Sequence, residues 1–311
     1  MSEALTHDTR LELRPSQLRR FLKRGPGKLL FRSEAYRRLL MLRHFASSWY
    51  AALAAPQQFS EVRTYCMFVG HNKSGTSMIG SLLDAHPDAI LSDEADALEY
   101  VRAGFSREQI FHILLRQSRK EARKGRVTAR RLQPYSYLVP GQWQGRYHSL
   151  KVIGDSTAGS STRMLAMEPD VLERLQKTLG GVELRVIQII RNPYDPISAM
   201  MVRGGRSFDN AIRTYFSYCE TLAQLRQRLD PSRLFPVHYE DFVLQGGTKL
   251  AEICRFLGLE VDADYLNACT TILHATPQTS RQLVDWDAGH IAQVAGEIER
   301  FDFLHGYSFE S

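Results

Sequence analysis

One short segment combines a lysine, three hydroxyl side chains and two glycines, a set that can bind an anion. Its members are Gly70, Lys73, Ser74, Gly75, Thr76 and Ser77. Glycine lets a loop turn tightly, and its backbone N–H reaches a ligand without interference from a Cβ. N–H groups at the start of a helix attract anions, and the lysine adds a positive charge. The segment therefore predicts an anion-binding loop.

The residues on either side predict the elements that hold this loop. Tyr65–Gly70 is a short apolar run of the kind that forms a fully buried strand. Met78, Ile79, Leu82 and Leu83 follow with helical spacing. We therefore expect a strand, the loop and a helix, with the loop at the carboxyl end of the strand.

The loop differs from a nucleotide-binding Walker A sequence, which needs lysine directly after the second glycine. Here Thr76 has that position, and Lys73 comes two residues before Gly75. The pattern Lys-Ser-Gly-Thr-Ser instead resembles the 5′-phosphosulfate loop of sulfotransferases that use 3′-phosphoadenosine 5′-phosphosulfate (PAPS). The resemblance implies that residues 72–77 bind the donor, with Asn72 in place of the family's usual proline.

A second strand-turn-helix unit lies further along the chain. Leu184–Ile190 is rich in β-branched residues and leads into Arg191-Asn192-Pro193, where proline favours a helix start. An arginine fork and a hydroxyl on the next helical turn can bind a phosphate. This resembles the family's 3′-phosphate segment, although Ser198 lies seven residues after Arg191 rather than eight. Either Ser198 reaches the phosphate, or Arg191 binds it together with another donor such as Arg203 or a backbone group.

The resemblance continues towards the C-terminus and covers about residues 63–309. Tyr239-Glu240-Asp241-Phe242 is similar to a segment that follows a strand in many relatives, and residues 276–286 resemble the segment that closes over the 3′-phosphate. Arg281 is the cation implied there. Ser156 replaces the lysine of a common Gly-Asp-Lys, so we assign it no charged role. The implied fold is α/β, a central mostly parallel sheet flanked by helices, P-loop-like.

Acidic residues follow the strand expected at residues 88–92. Open α/β sheets bind ligands outside the carboxyl ends of their strands. Glu94 is therefore our candidate general base, and sulfotransferases of several branches carry Glu or His at about this distance past the loop. Asp93 and Asp96 are alternatives, and a helix-capping or surface role would equally explain a carboxylate here.

Together these features predict in-line transfer of a sulfuryl group from PAPS to a hydroxyl or amine, with Lys73 and Glu94 as catalytic residues and no metal. The acceptor is open between small molecules, lipids, glycans and peptide tyrosines. Two other functions stay under consideration: an ATP-dependent small-molecule kinase, and a catalytically inactive relative that binds anions or membranes.

The domain prediction places a basic, partly helical arm at residues 1–60 and the sulfotransferase domain at 61–311. The 311-residue chain carries a net charge of +6, and residues 1–50 contain 11 Lys/Arg against 4 Asp/Glu. Such an arm favours contact with an anionic membrane or an acidic partner; a solvated helix packed on the core, or a tail ordered only in a homo-oligomer, explains it as well. No motif for nucleic acid is present.

Composition predicts an ordinary globular protein, 43% hydrophobic and 24% charged. No run approaches the ~18 apolar residues of a membrane span, and no signal peptide pattern is seen. We expect a cytoplasmic protein, with peripheral contact at the inner membrane surface if the arm binds lipid, and four reduced, buried cysteines. A helix is expected at 107–131 and an aromatic-rich loop at 133–148; together, residues 105–148 are expected to form a lid or acceptor site.

Overall fold

The computed structural model of the protein describes residues 34–127, 135–273 and 276–311. The chain divides into two compact units between Tyr50 and Ala51, and the first is described only over Glu34–Tyr50. Helix α1 (Glu34–Ala54) is the helix of the predicted arm. No helix in the described ranges is long and apolar enough to span a membrane.

The centre of the second unit is a parallel five-stranded sheet, which confirms the predicted fold class. Its strands are β1 (Thr64–Gly70), β2 (Ala89–Ser92), β3 (Val152–Asp155), β4 (Glu183–Ile190) and β5 (Leu234–His238). Their order is β2-β3-β1-β4-β5, and all four pairings are parallel. Every residue of β1 is buried, as expected for a parallel strand covered by helices on both faces.

Helices connect these strands and cover the sheet. They are α2 (Thr76–Asp84), α3 (Ala97–Arg102), α4 (Arg107–Arg123), α5 (Ala158–Met167), α6 (Val171–Leu179), α7 (Tyr194–Gly204), α8 (Phe208–Arg228), α9 (Tyr239–Leu244), α10 (Gly246–Phe256), α11 (Ala263–Thr270) and α12 (Ala288–Ile298). Because the strands are parallel, the loops after β1, β2, β3 and β4 meet at one edge of the sheet. All the predicted site residues before position 200 lie at this edge.

Several predicted boundaries were wrong. Helix α4 starts with a capping box between Ser106 and Gln109 but ends at Arg123, and residues 128–131 of the predicted helix lie outside the described ranges. No helix was predicted directly after β3, where Ala158–Met167 forms α5. Its composition is poor for a helix, but Met164 and Leu165 are buried, and tertiary packing overrides weak propensity.

Candidate active site

The predicted anion-binding loop joins β1 to α2. Lys73 and Gly75 have positive φ values of 71° and 91°, and they alternate with Ser74, a backbone pattern typical of anion-binding nests. A left-handed lysine costs about 1–2 kcal/mol, and such strain persists at functional sites. The first turn of α2 contains no acidic residue of its own, so its positive end favours an anion.

At positions 70 and 75 of this loop, the neighbouring elements leave no room for a Cβ. A Cβ on Gly75 would lie 2.4 Å from the ring of Tyr239, and one on Gly70 would lie 2.5 Å from the carbonyl oxygen of Ile189. The backbone N–H and carbonyl of Gly70 both bond to the buried hydroxyl of Thr162, each at 2.9 Å. The end of β1 is therefore fixed by α5 and β4.

Arg191, at the end of β4, reaches this loop. Its Nη1 donates to the carbonyl oxygen of Lys73 at 2.5 Å, and its Nη2 donates to the carbonyl oxygen of Gln278. Its guanidinium lies over the ring of Tyr239, 4.5 Å from the ring centre, a cation–π contact. Arg191 thus connects the loop between β1 and α2 with the segment at 276–281, which the sequence predicted to lie near a phosphate.

The first turn of α7 holds that C-terminal segment. The Asp195 carboxylate accepts hydrogen bonds from the backbone N–H groups of Ser280 and Arg281, at 2.5 and 2.9 Å. The Arg281 side chain is buried and donates from Nη2 to the backbone oxygen of Ser311. The structure therefore brings Arg281 to the same helix start as Arg191, although 90 residues separate them in the sequence.

Ser198 is fully buried within α7. Its hydroxyl accepts a hydrogen bond from the indole N–H of Trp286 at 3.0 Å. Trp286 belongs to the segment that the sequence analysis associated with the 3′-phosphate, and its ring packs against Tyr194 and Phe208. In this structure Ser198 contacts that segment through Trp286.

The candidate bases follow β2. Glu94 and Asp96 are exposed and have left-handed backbones, with φ of 53° and 56°. Asp93 is half-buried and accepts hydrogen bonds from Ser77, on the first turn of α2, at 3.3 Å and from Ser156 at 3.4 Å. Burial raises the pKa of Asp93, with a smaller rise from Glu94, while the charge of Arg126 opposes the rise. The Glu94 loop is therefore adjacent to the loop between β1 and α2.

Asp155, at the end of β3, is a buried carboxylate that the sequence analysis did not single out. One oxygen accepts the N–H of Ala97 at 2.8 Å, and the other accepts the hydroxyl of Thr157 at 2.6 Å. Burial raises the pKa of Asp155 to about 6. Its neighbour Ser156 lies close to Gly80, where a Cβ would be only 2.5 Å from the serine hydroxyl.

Three polar groups at these predicted positions are buried without a hydrogen-bond partner among the described residues: Ser74 Oγ, Arg191 Nε and Arg281 Nη1. A buried donor without a hydrogen bond costs about 1–3 kcal/mol. Of the three, Arg191 Nε has a charged neighbour, the Asp195 carboxylate at 3.8 Å, which is an ion pair without a hydrogen bond. All three can donate to an oxyanion. The groups present therefore fit a ligand with phosphate or sulfate oxygens.

Two positioning residues were missed by the sequence analysis. Glu240 accepts the N–H of Asn192 at 3.0 Å and the hydroxyl of Tyr307 at 2.7 Å, which fixes the turn that carries Arg191. Asp195 is the other. An acidic residue in the first turn of a helix is an available signal for the role of Asp195, whereas nothing local indicates the partner of Glu240. Across residues 34–127, 135–273 and 276–311, no cluster of three metal-ligating side chains occurs.

A comparison with protein families gives one match, within the unit that contains the sheet. A model described as "Sulfotransferase family" matches residues 67–263, a range that contains Lys73, Glu94, Arg191 and Ser198. No curated protein matches the chain.

Several solved structures resemble the protein. Sulfotransferase STF9 from Mycobacterium avium is 12% identical with a TM-score of 0.48, covering 82% of this chain and 81% of its own. A sulfotransferase from Alicyclobacillus acidocaldarius is 17% identical with a TM-score of 0.46, covering 80% and 98%. Mouse sulfotransferase SULT7A1, complexed with PAP, is 10% identical with a TM-score of 0.41, covering 79% and 84%. Because the family model spans more than half of the chain, the protein belongs to the sulfotransferase family.

Proposed function

We propose that the protein transfers the sulfuryl group of PAPS to a hydroxyl or amine of a small-molecule, lipid or glycan acceptor. The observation that carries this proposal is the set of three buried donors, on Ser74, Arg191 and Arg281, that make no hydrogen bond among the described residues; the Arg191 donor lies 3.8 Å from the Asp195 carboxylate. Bound PAPS would supply the reactive phosphosulfate. Residues 72–77 would hold its 5′-phosphate, and Arg191, Ser198 and Arg281 would hold its 3′-phosphate.

The roles of the catalytic residues follow from charge and position. Lys73 would neutralise charge that develops on the transferring group and on the leaving phosphate, as cations do in phosphoryl transfer. Glu94 would accept the proton of the acceptor, because it is exposed beside the donor loop. The reaction needs positioning and electrostatic stabilisation rather than a covalent enzyme intermediate, so no metal is invoked.

Asp93 is the rival base, and the turnover of matched variants separates it from Glu94. Asp93→Asn keeps an oxygen that can accept from Ser77 and removes a negative charge beside the loop, so it should not weaken binding of the donor product 3′-phosphoadenosine 5′-phosphate (PAP). Glu94→Gln should lower turnover by about 100-fold or more and leave PAP affinity unchanged, as expected for a general base. If Asp93→Asn lowers turnover at unchanged PAP affinity and Glu94→Gln does not, the assignment must be reversed.

Calorimetric titration of PAP without metal tests the donor site. We expect micromolar binding to the wild type and a loss of about 10- to 100-fold in Lys73→Ala and Arg191→Ala, because each removes a charge-assisted hydrogen bond. The loss of PAP affinity in Ser198→Ala shows whether the Ser198 hydroxyl contributes to binding. Matched controls are Lys151→Ala and Arg228→Ala, which break surface ion pairs with Asp88 and Glu173.

The outcomes separate the competing functions. A wild type that ignores PAP but binds ATP with magnesium would be a kinase. A wild type that binds PAP but does not convert PAPS to PAP would be a catalytically inactive relative. One that binds neither nucleotide would overturn the proposal.

We also propose a cytoplasmic location with peripheral membrane contact. All four cysteines are free and buried, which suits a reducing compartment. Helix α1 exposes Leu39, Leu42, Trp49 and Leu53 at heptad-like spacing, together with Arg43. Apolar and basic groups on one helix suit an anionic lipid surface. We expect the protein to co-sediment with anionic vesicles and not with neutral ones. If it instead forms a homo-oligomer and binds neither kind of vesicle, the exposed side chains of α1 contact a second copy of the chain.

A further inference from the structure

The loop that carries Glu94 has an unusual backbone. Glu94 and Asp96 both have left-handed φ values, although neither is glycine. Each costs about 1–2 kcal/mol relative to a relaxed conformation. Such residues stay left-handed only where the surrounding structure fixes them. The two ends of this loop should therefore be anchored.

The start of the loop is anchored at Asp93. Its side chain accepts the Ser77 hydroxyl, and its carbonyl oxygen accepts the side-chain amide of Gln117 at 3.1 Å. These bonds tie Asp93 to α2 and α4. They do not fix residues 94–96, which extend beyond it.

The far end is anchored by one buried carboxylate, Asp155. Its Oδ2 accepts the Ala97 N–H at 2.8 Å. Its Oδ1 accepts the N–H and hydroxyl of Thr157 at 3.2 and 2.6 Å, and the Ser92 hydroxyl at 3.4 Å. Asp155 is 1% exposed and makes no ion pair among the described residues.

A buried carboxylate without a cation is costly, and its retention needs a reason. Asp155 directly opposes Ser92 in the parallel register of β2 and β3, so it lies beneath the loop that leaves β2. A carboxylate there can accept from Ala97 and Thr157 at once. An apolar residue would leave the Ala97 N–H without this acceptor, and the far end of the loop would be left with the bond from the Glu99 N–H to the Asp96 carbonyl oxygen at 2.9 Å.

We propose that Asp155 is a positioning residue for Glu94: by accepting the Ala97 N–H, it fixes the loop that presents the Glu94 carboxylate beside the donor loop. This assignment rests on the proposed function, because it takes Glu94 as the base. Asp155 itself touches no substrate. It acts only through the backbone of residues 94–97.

Asp155→Asn tests the proposal with little change in volume. An amide has one acceptor oxygen, so its NH₂ group must face either the Ala97 N–H or the donors on Thr157. Thr157→Val is the matched second variant, because it removes a hydroxyl bonded to the other oxygen and keeps the Ala97 bond. Asp88→Asn, a surface carboxylate paired with Lys151, controls for the change in charge.

Hydrogen exchange at the Ala97 amide is the direct readout. We expect about a tenfold or greater rise in Asp155→Asn, with exchange in α2 and PAP affinity within about twofold of wild type, because local opening exposes only the loop. PAP release from PAPS, with 2-naphthol as the probe acceptor, should show kcat about 10- to 100-fold lower at an unchanged KM for PAPS. Thr157→Val and Asp88→Asn should change neither exchange at Ala97 nor kcat.

Unchanged exchange at Ala97 in both Asp155→Asn and Asp155→Leu, the second of which leaves no acceptor oxygen, would overturn the proposal. So would an equal rise throughout β3 and α5, or an equal effect of Thr157→Val, because Asp155 would then stabilise the core in general. If the wild type neither binds PAP nor releases it from PAPS, the proposed function fails, whereas the exchange rates still decide whether Asp155 anchors the loop.

Discussion

Protonation of His71 should destabilise the protein as the pH falls. His71 directly precedes the donor loop and is buried against α8, where its Nε2 lies 2.9 Å from the carbonyl oxygen of Tyr215. Its ring stacks on that of Tyr215, with centres 3.8 Å apart, and Nε2 is 3.9 Å from Cys219 Sγ. Burial lowers the pKa of His71 from 6.5 to about 4, because the charged imidazolium loses its hydration; the bond to Tyr215 opposes this only partly.

The sign and size of the effect follow from this pKa. Between pH 6.5 and 4 the unfolded state binds the proton and the folded state does not, so stability is fully present above pH 6.5 and is lost as the pH falls towards 4. At about 1.4 kcal/mol per pKa unit, the loss between pH 7 and pH 4.5 is about 2 kcal/mol. Asp155 acts in the opposite direction. Its pKa is raised to about 6, so as the pH falls it is protonated in the folded state before it is protonated in the unfolded state, which stabilises the folded state.

The contribution of His71 is isolated by comparing two proteins. Glutamine at this position can still donate to Tyr215 but does not titrate. Urea unfolding of wild type and His71→Gln between pH 4.5 and 7.5 should give free energies of unfolding whose difference changes by about 2 kcal/mol across the range. Since Asp155 is present in both, its effect cancels. A His71→Gln difference that varies by less than about 0.5 kcal/mol would refute the reasoning.

Three further substitutions test the packing around the site. Gly75→Ala should abolish calorimetric PAP binding while circular dichroism stays native, because a Cβ would strike the aromatic ring 2.4 Å away and force an alanine into a left-handed turn. Arg126→Met should lower the free energy of unfolding in urea by about 3–5 kcal/mol, since it leaves the fully buried Asp84 without its cation. Trp286→Phe removes the N–H bonded to Ser198 and should raise hydrogen exchange in residues 281–286 without changing that in β1.

The donor loop and the Arg191 turn were predictable because their signals are local. A buried strand, a glycine that must turn and a helix start are contiguous around Lys73, and proline marks the turn after Arg191. A parallel sheet then requires the ends of both strands to lie at one edge. That geometry alone brings Arg191 near Lys73, whose carbonyl it contacts.

The contacts that complete the site were not predictable, since they join distant parts of the chain. The carbonyl that Arg191 contacts in the C-terminal segment belongs to Gln278, and the partner of Ser198 is Trp286. Helix α5 was also missed, because its glycine and serine residues resemble a turn and its helical state depends on burial. The spacing of seven residues between Arg191 and Ser198 gave no indication that a tryptophan would bond to the Ser198 hydroxyl.

The buried donors of Ser74, Arg191 and Arg281 that make no hydrogen bond within the described ranges connect this packing to selectivity. Each costs about 1–3 kcal/mol when no acceptor is present, although the other nitrogens of both arginines make hydrogen bonds. A ligand that supplies oxyanions near all three removes that cost on binding, and binding to the native state stabilises it. A nucleotide without a 3′-phosphate would leave the two arginine donors without a hydrogen bond. Sites built to pair with a polar group reject analogues that lack it, so these donors would select for the proposed donor against ordinary adenine nucleotides.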